Sequence, residues 1–164
     1  MNIQTITAAT QGSQYVACLP HHKGIAVIIP EAKNWHEGTK IKPQVILNHL
    51  EQADALLWID ADCAVDLPSE PPEGLWDVGI FDNIVPTHKN RISAAFILFR
   101  NSQGAQYFLR RWKHNNSLAA KDHPALTKTI NQCKNTVRIQ NLSQWLKGRC
   151  VVNAYLGHRG RIEG

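Results

Sequence analysis

The sequence lacks the apolar runs of a membrane protein and the leader of a secreted one. No stretch approaches the roughly 18–20 consecutive apolar residues that span a bilayer, so we expect no transmembrane segment. The amino terminus, MNIQTITAATQGSQ, lacks the charged-then-apolar order of a signal peptide. Cysteine is scarce and widely spaced, without a CxxC pair, at Cys18, Cys63, Cys133 and Cys150. Together these absences predict a reduced, cytoplasmic protein.

Blocks of like charge, repeats and low-complexity segments are also missing. The chain is 43% hydrophobic and 19% charged, which is the balance of a globular protein and excludes a disordered tail. Its 164 residues fall within the roughly 100–200 residues of a typical domain, so residues 1–164 are expected to form one compact domain.

The net charge of +5 suits an anionic partner, such as nucleic acid, an anionic lipid surface or a phosphorylated small molecule. No nucleic-acid-binding motif accompanies this charge, so no nucleic acid is expected as a partner. The sequence allows an oligomer.

Short apolar or β-branched runs alternate with stretches of helical spacing. Strands are predicted at 3–9, 25–29, 55–59, 78–81, 93–99, 137–139 and 150–152, and helices at 42–52, 103–112 and 122–133. One further short helix fits between the first two strands. This alternation predicts an α/β sandwich with a mixed, mostly parallel sheet.

Two aspartates, Asp60 and Asp62, directly follow the most apolar predicted strand. Ligands of open α/β sheets collect at the carboxyl ends of strands. Two carboxylates at that edge can hold a hard divalent cation, Mn²⁺ or Mg²⁺, through oxygen ligands. Such a cation bridges diphosphate oxygens and neutralises the charge on a leaving group. The alternative is a solvated turn, because D-x-D strings are common in loops.

The aspartates belong to an ordered series of strings. KIKP lies at 40–43, VILNHL at 45–50 and LWIDAD at 57–62, and they are followed by DVGIF at 77–81, SAAFILF at 93–99, YFLRRW at 107–112 and DHPAL at 122–126. Over roughly residues 1–130 this succession resembles the GT-A class of glycosyltransferases. The resemblance implies a GT-A-like, Rossmann-like sandwich, a nucleotide-diphosphate sugar as donor, and a metal bound at the D-x-D motif.

The resemblance also implies which residues bind the donor. These are Thr7, Ala8, Ala9, Lys40, Asp60 and Asp62. The end of the first strand corresponds to the place of the base and ribose, the lysine faces the nucleotide or its phosphates, and the two aspartates hold the metal and diphosphate. For Lys40 the alternative is an ordinary surface turn.

Two residues further along the chain match functional positions of the class. Asp122 matches an acidic position near the sugar or acceptor and is the candidate general base of an inverting enzyme. Its place before a helical pattern is equally typical of an N-cap. His158 matches a carboxy-terminal histidine that supplies a third metal ligand. The alternative for His158 is a residue without a role in a glycine-flanked segment.

These features predict a metal-dependent glycosyltransferase, with the acceptor and the stereochemistry left open. The alternative is a nucleotide-sugar-binding or scaffold protein of the same fold without turnover, which the short chain favours and the intact D-x-D opposes. A phosphatase with a D-x-D nucleophile is disfavoured, because the motif follows the third predicted strand. Among the tryptophans, Trp58 and Trp112 are expected in the core, and Trp35 is expected to be exposed near a ligand.

Overall fold

The computed structural model describes residues 1–82, 84 and 91–155. The strands are β1 (Ile3–Thr10), β2 (Ile25–Ile29), β3 (Ala55–Ile59), β4 (Ala64–Val65), β5 (Val78–Asp82), β6 (Ile92–Arg100), β7 (Ile139–Asn141) and β8 (Cys150–Val151). The helices are α1 (Trp35–Thr39), α2 (Lys42–His49), α3 (Gln103–Leu118) and α4 (Asp122–Cys133), with 3₁₀ helices at Gln14–His21 and Leu50–Gln52. Within these residues, none of the helices has the length and apolar character needed to cross a membrane.

Six strands form one sheet in the order β2-β1-β3-β6-β5-β7. Only β6 runs antiparallel to its neighbours β3 and β5, while the pairings of β1 with β2, β1 with β3 and β5 with β7 are parallel. The strands β4 and β8 pair separately as an antiparallel ribbon. The predicted α/β class and the mixed, mostly parallel sheet are therefore confirmed.

Side chains of β3 alternate between two cores, one on each face of the sheet. Leu56 and Trp58 pack in the core that contains α2, α3 and α4, where Trp112 is fully buried. Leu57 and Ile59 pack on the opposite face against the segments that follow β3 and β7. A central strand that is covered on both faces needs a continuous apolar run, which explains the sequence ALLWI. The predicted core positions of Trp58 and Trp112 are confirmed.

The predicted buried strand at 25–29 is instead an edge strand. Among the described strands it pairs with β1 alone, and the side chains of Ala26 and Ile28 are exposed, the latter by 57%. A short apolar run does not distinguish a central strand from an edge strand, because pairing on both sides depends on the topology of the whole sheet. The prediction of burial was therefore wrong for β2, whereas the prediction of a strand was correct.

All four cysteines are free thiols. Cys18, Cys63 and Cys133 are buried and Cys150 is half-buried. Burial raises the pKa of each thiol above its usual value. They therefore remain protonated at neutral pH and behave as small apolar side chains.

Asp77 joins the start of β5 to the segment before β7 and to the beginning of α3. The Arg138 guanidinium donates to its two carboxylate oxygens at 2.9 and 2.8 Å, and the Ser102 hydroxyl donates to one of them at 2.8 Å. Mainly because of the Arg138 hydrogen bonds, which outweigh the effect of burial, the pKa of Asp77 is lowered to about 2. The ionised carboxylate is thus favoured by folding.

We expect Asp77→Asn to lower the free energy of unfolding by about 1–3 kcal/mol at pH 7, as for other hydrogen bonds to charged groups. The stabilisation by Asp77 is complete above the unfolded aspartate pKa of about 3.9 and is lost as the pH falls towards 2. Urea unfolding of both proteins between neutral and acidic pH measures this difference. A difference that stays constant down to the lowest accessible pH would contradict the role of the charge.

Candidate functional site

A pocket of about 460 Å³ lies where β1, β2 and β3 end. Its walls include two contrasting sets of side chains, an apolar set with Ala8, Ala9 and Trp35 and a charged set with Lys42, Asp60 and Asp62. Trp35 lines this pocket and is 61% exposed, which confirms its predicted exposure, while a ligand beside it stays a prediction. The pocket therefore offers an apolar surface next to a cluster of charges.

The pocket is formed because parallel neighbouring strands end at the same edge of the sheet. After β1 the chain turns at Gly12, whose φ of +78° is in the left-handed region that glycine adopts without strain. On the other wall, Gly38 lets α1 approach the end of β1, since a Cβ at this position would lie 2.8 Å from the Thr10 hydroxyl. These two glycines shape the walls that face the aspartates.

Asp60 begins the loop after β3 and is held by two donors. The Trp58 indole Nε1 donates to its Oδ1 at 2.8 Å, and the Lys42 ammonium lies 2.9 Å from the same oxygen. The side chain of Asp60 is 32% exposed. Its carboxylate therefore has a fixed orientation and an accessible surface towards the pocket.

Lys42 lies at the start of α2 and links Asp60 to Asp122. Its Nζ is 2.9 Å from Asp60 Oδ1 and 3.3 Å from Asp122 Oδ2, and it donates to the Ala94 carbonyl at 3.1 Å. The residue is only 5% exposed. Burial alone would lower the pKa of Lys42, but the carboxylates of Asp60 and Asp122 outweigh it and hold this pKa above its usual value. Lys42 is therefore a buried, permanently charged ammonium.

Asp122 is the first residue of α4, and the alternative prediction of an N-cap was wrong. The N-cap position is Lys121, and no side chain caps this helix. The carboxylate instead receives the Asn116 amide at 3.2 Å and pairs with Lys42, because a buried ammonium is a stronger partner than a backbone N–H. Burial raises the pKa of Asp122, which Lys42 partly offsets. The predicted role as general base stays a prediction.

Asp62 has a different environment from Asp60. Burial and the neighbouring Asp60 carboxylate raise its pKa. The Cys63 thiol donates to its Oδ1 at 3.6 Å, which is a weak hydrogen bond because the donor is sulfur. Among the described residues no lysine or arginine forms an ion pair with Asp62. Within the part of the chain that the structure describes, the negative charge of this carboxylate is therefore not neutralised by a direct cationic partner.

The carboxylate oxygens of Asp60 and Asp62 are suitable ligands for a hard divalent cation. In the described part of the chain no group of three His, Cys, Asp or Glu side chains could hold a metal. Two carboxylates are nevertheless the usual protein contribution to Mg²⁺, which keeps several waters and substrate phosphate oxygens as its other ligands. The residues present thus suit a cation that is shared with a phosphorylated ligand.

The other residues that were predicted to bind the nucleotide-sugar donor do not all lie at the pocket. Ala8 and Ala9 line the pocket, whereas Thr7 is buried and does not. Lys40 also lies outside the lining, and its ammonium pairs with Glu37 at 3.0 Å. His158, the predicted third metal ligand, lies outside the described residues.

Sequence reasoning missed Lys42, which lines the pocket, whereas the predicted Lys40 does not. Both lysines belong to the string KIKP, and the choice between them depends on where α2 begins. The signal that was available is Pro43, which is typical of the first turn of a helix. It indicates that the lysine directly before it lies at the helix start, and hence next to the strand ends.

The fold is similar to that of known proteins, although the sequence is not. No protein-family model matches the chain, and no curated protein matches it in sequence. A glycosyltransferase involved in the glycosylation of the major capsid of PBCV-1 superposes with a TM-score of 0.64 at 13% identity, over 86% of this chain and 81% of that one. A197 from STIV gives a TM-score of 0.47 at 15% identity, over 87% and 83% of the two chains. The chain therefore shares the fold of a glycosyltransferase.

Proposed function

We propose that this chain is a metal-dependent glycosyltransferase that moves a sugar from a nucleotide-diphosphate donor to an acceptor. The observation that carries the proposal is the pocket at the carboxyl ends of β1–β3, which joins an apolar wall to the pair Asp60 and Asp62. A nucleotide sugar has the matching parts, a flat base and a charged diphosphate. The shared fold with the capsid glycosyltransferase supports the same assignment.

In this proposal the base and ribose lie against Ala8, Ala9 and Trp35, and the diphosphate lies towards the aspartates. Asp62 and the exposed part of Asp60 would hold Mn²⁺ or Mg²⁺. The bound cation would neutralise the charge on the departing diphosphate. Lys42 holds the carboxylate of Asp60 in place and adds one positive charge beside the pocket.

The surroundings of Asp122 decide which role it has in this mechanism. A general base must reach the hydroxyl that it deprotonates, yet the side chain of Asp122 is only 6% exposed and each of its oxygens has a partner, Asn116 or Lys42. We therefore propose that Asp122 is a positioning residue, which acts through Lys42, and that the acceptor hydroxyl does not contact it.

Asp122→Asn separates the two roles. If Asp122 is a positioning residue, the variant should be less stable and bind the sugar donor more weakly. Its KM should then rise by a larger factor than its kcat falls. A general base predicts unchanged donor binding and a kcat that falls by about 10²–10⁴-fold. Steady-state kinetics together with thermal unfolding distinguish these outcomes, and a pure kcat effect would overturn the positioning role.

The proposed function as a whole is tested by ligand stabilisation and turnover. We expect one nucleoside diphosphate of a panel to raise the melting temperature only when Mn²⁺ is present, since a ligand at 100 times its Kd adds about 2.7 kcal/mol. The matching nucleotide sugar should then be hydrolysed or transferred above the protein-free rate. Binding without turnover would instead indicate a nucleotide-sugar-binding protein, and no binding at all would contradict both.

Trp35 provides a test of where the base lies. Stacking of a base on an aromatic side chain contributes about 1–3 kcal/mol, so Trp35→Ala should weaken nucleotide binding by roughly 5–150-fold. In the wild type, nucleotide binding should quench tryptophan fluorescence, and Trp35→Phe should remove most of this quenching while preserving affinity. Trp145→Phe is the matched control, because Trp145 donates to the Glu70 carbonyl and does not line the pocket. Because Trp58 also lines the pocket and can contribute quenching, an unchanged affinity of Trp35→Ala is the result that would exclude Trp35 as the stacking residue.

A further inference from the structure

Charge is divided very unequally along the chain. Residues 1–82 contain four lysines, no arginine and eleven acidic residues, for a net charge of −7. Residues 83–164 contain fourteen basic and two acidic residues, Asp122 and Glu163, for a net charge of +12. Such asymmetry between halves is typical of proteins that bind an extended anionic surface. The proposed donor pocket, with one lysine and two aspartates, does not account for it.

Six of these cations lie on or beside two packed helices, α3 and α4. They are Arg110, Arg111, Lys113, Lys121, Lys128 and Lys134, and we call them the basic helical face. All six side chains are exposed, and in the part of the chain that is described none of them forms an ion pair. The single acidic residue of these helices, Asp122, is buried. Glu51 lies in the same groove as Arg110 and Lys113 but pairs with neither, so the face keeps a clear excess of positive charge.

The basic helical face also exposes large apolar side chains. On α3, Tyr107 is 49% exposed and Leu118 is 69% exposed. At helical spacing they lie on the same side of α3 as Arg110, Arg111 and His114, opposite the buried Phe108 and Trp112. A helix side that combines cations with exposed leucine and aromatic side chains is typical of an interfacial helix, which lies in the plane of a membrane surface.

We infer that the basic helical face binds the surface of an anionic lipid bilayer. The cations attract the headgroups, and Tyr107 and Leu118 enter the headgroup boundary. A nucleic acid would satisfy the charge, but its phosphodiester backbone offers no apolar surface for Leu118, so the lipid surface is favoured. Because Leu118 and Lys121 flank the Asn116–Asp122 contact, this docking holds the Lys42 side of the pocket close to the membrane.

The test is co-sedimentation of the full chain with vesicles of phosphatidylcholine, with and without phosphatidylserine. We expect binding only to the vesicles that contain phosphatidylserine, and release at high salt, which screens surface charge. The triple variant Arg110→Gln, Arg111→Gln, Lys113→Gln should bind at least about tenfold more weakly. A control with the same change in net charge, Lys23→Gln, Lys33→Gln, Lys147→Gln, removes exposed cations outside the face and should bind within about threefold of the wild type.

Two further measurements make the inference falsifiable. Leu118→Ser should weaken vesicle binding and leave the melting temperature unchanged, because Leu118 is exposed. Fluorescence anisotropy with a labelled oligonucleotide at the same salt tests the other anionic partner. The inference would be overturned if both triple variants lost the same vesicle affinity or if the wild type did not bind vesicles. It would also be overturned if the wild type bound the oligonucleotide but not the vesicles. None of these readouts depends on glycosyl transfer, so they stand apart from the proposed function.

Discussion

Asp62→Asn is expected to abolish the Mn²⁺-dependent stabilisation by nucleoside diphosphate and to lower sugar transfer by at least about a hundredfold. The reason for the large effect is that a bound cation contributes several kcal/mol to the stabilisation of charge on a leaving group. Asparagine has nearly the same shape but no charge, and hard divalent cations bind carboxylates better than amides when few ligands are available. Differential scanning fluorimetry with and without Mn²⁺ measures the first effect and a transfer assay the second.

We expect Asp62→Asn not to destabilise the folded protein. Burial and the Asp60 carboxylate raise the pKa of Asp62, which means that its ionised form is disfavoured in the folded protein. Removal of this charge should leave the unliganded melting temperature unchanged or slightly higher. Asp66→Asn is the matched control, because Asp66 is 83% exposed and pairs with Arg149 at the surface. An Asp62→Asn protein that keeps its full response to Mn²⁺ would contradict the metal assignment.

The sequence predicted the strand-end aspartates because the evidence for them is local. A buried apolar strand followed at once by Asp60 and Asp62 places carboxylates at the sheet edge in any parallel α/β fold. The helices α2, α3 and α4 and every strand except β4 were likewise predicted from local periodicity, whereas α1 was not predicted. The edge position of β2 was not, because it depends on which strands are added to the sheet later in the chain.

The pairing of Lys42 with Asp122 could not be predicted in the same way. The two residues are far apart in sequence and meet only because α2, α3 and α4 pack side by side on one face of the sheet. The beginning of α4 also has the same sequence pattern whether Asp122 is the N-cap or the first helical residue. Because the helix begins one residue earlier than predicted, the partner of Asp122 is the buried Lys42 ammonium and not the helix backbone.

Lys42→Met is expected to lower the free energy of unfolding at pH 7 by about 3–5 kcal/mol, the usual cost of removing one partner of a buried ion pair. Methionine fills a similar volume, so the loss reports charge rather than packing. Without the ammonium, burial and Asp60 would raise the pKa of Asp122 further. The deficit should thus be small below the unfolded aspartate pKa of about 3.9 and should grow as the pH rises. Urea unfolding across this pH range measures the trend.

Two companion variants decide whether the charge network is the cause. Lys40→Met removes the neighbouring lysine, whose pairing with Glu37 is a surface contact, so it should cost no more than about 1 kcal/mol at any pH. Adding Asp122→Asn to Lys42→Met removes the buried charge that was left unpaired and should recover part of the lost stability and flatten its pH dependence. If the double variant is as unstable as the sum of the two single variants, then Lys42 and Asp122 contribute independently. That result would contradict the proposal that Asp122 helps to position Asp60 through Lys42.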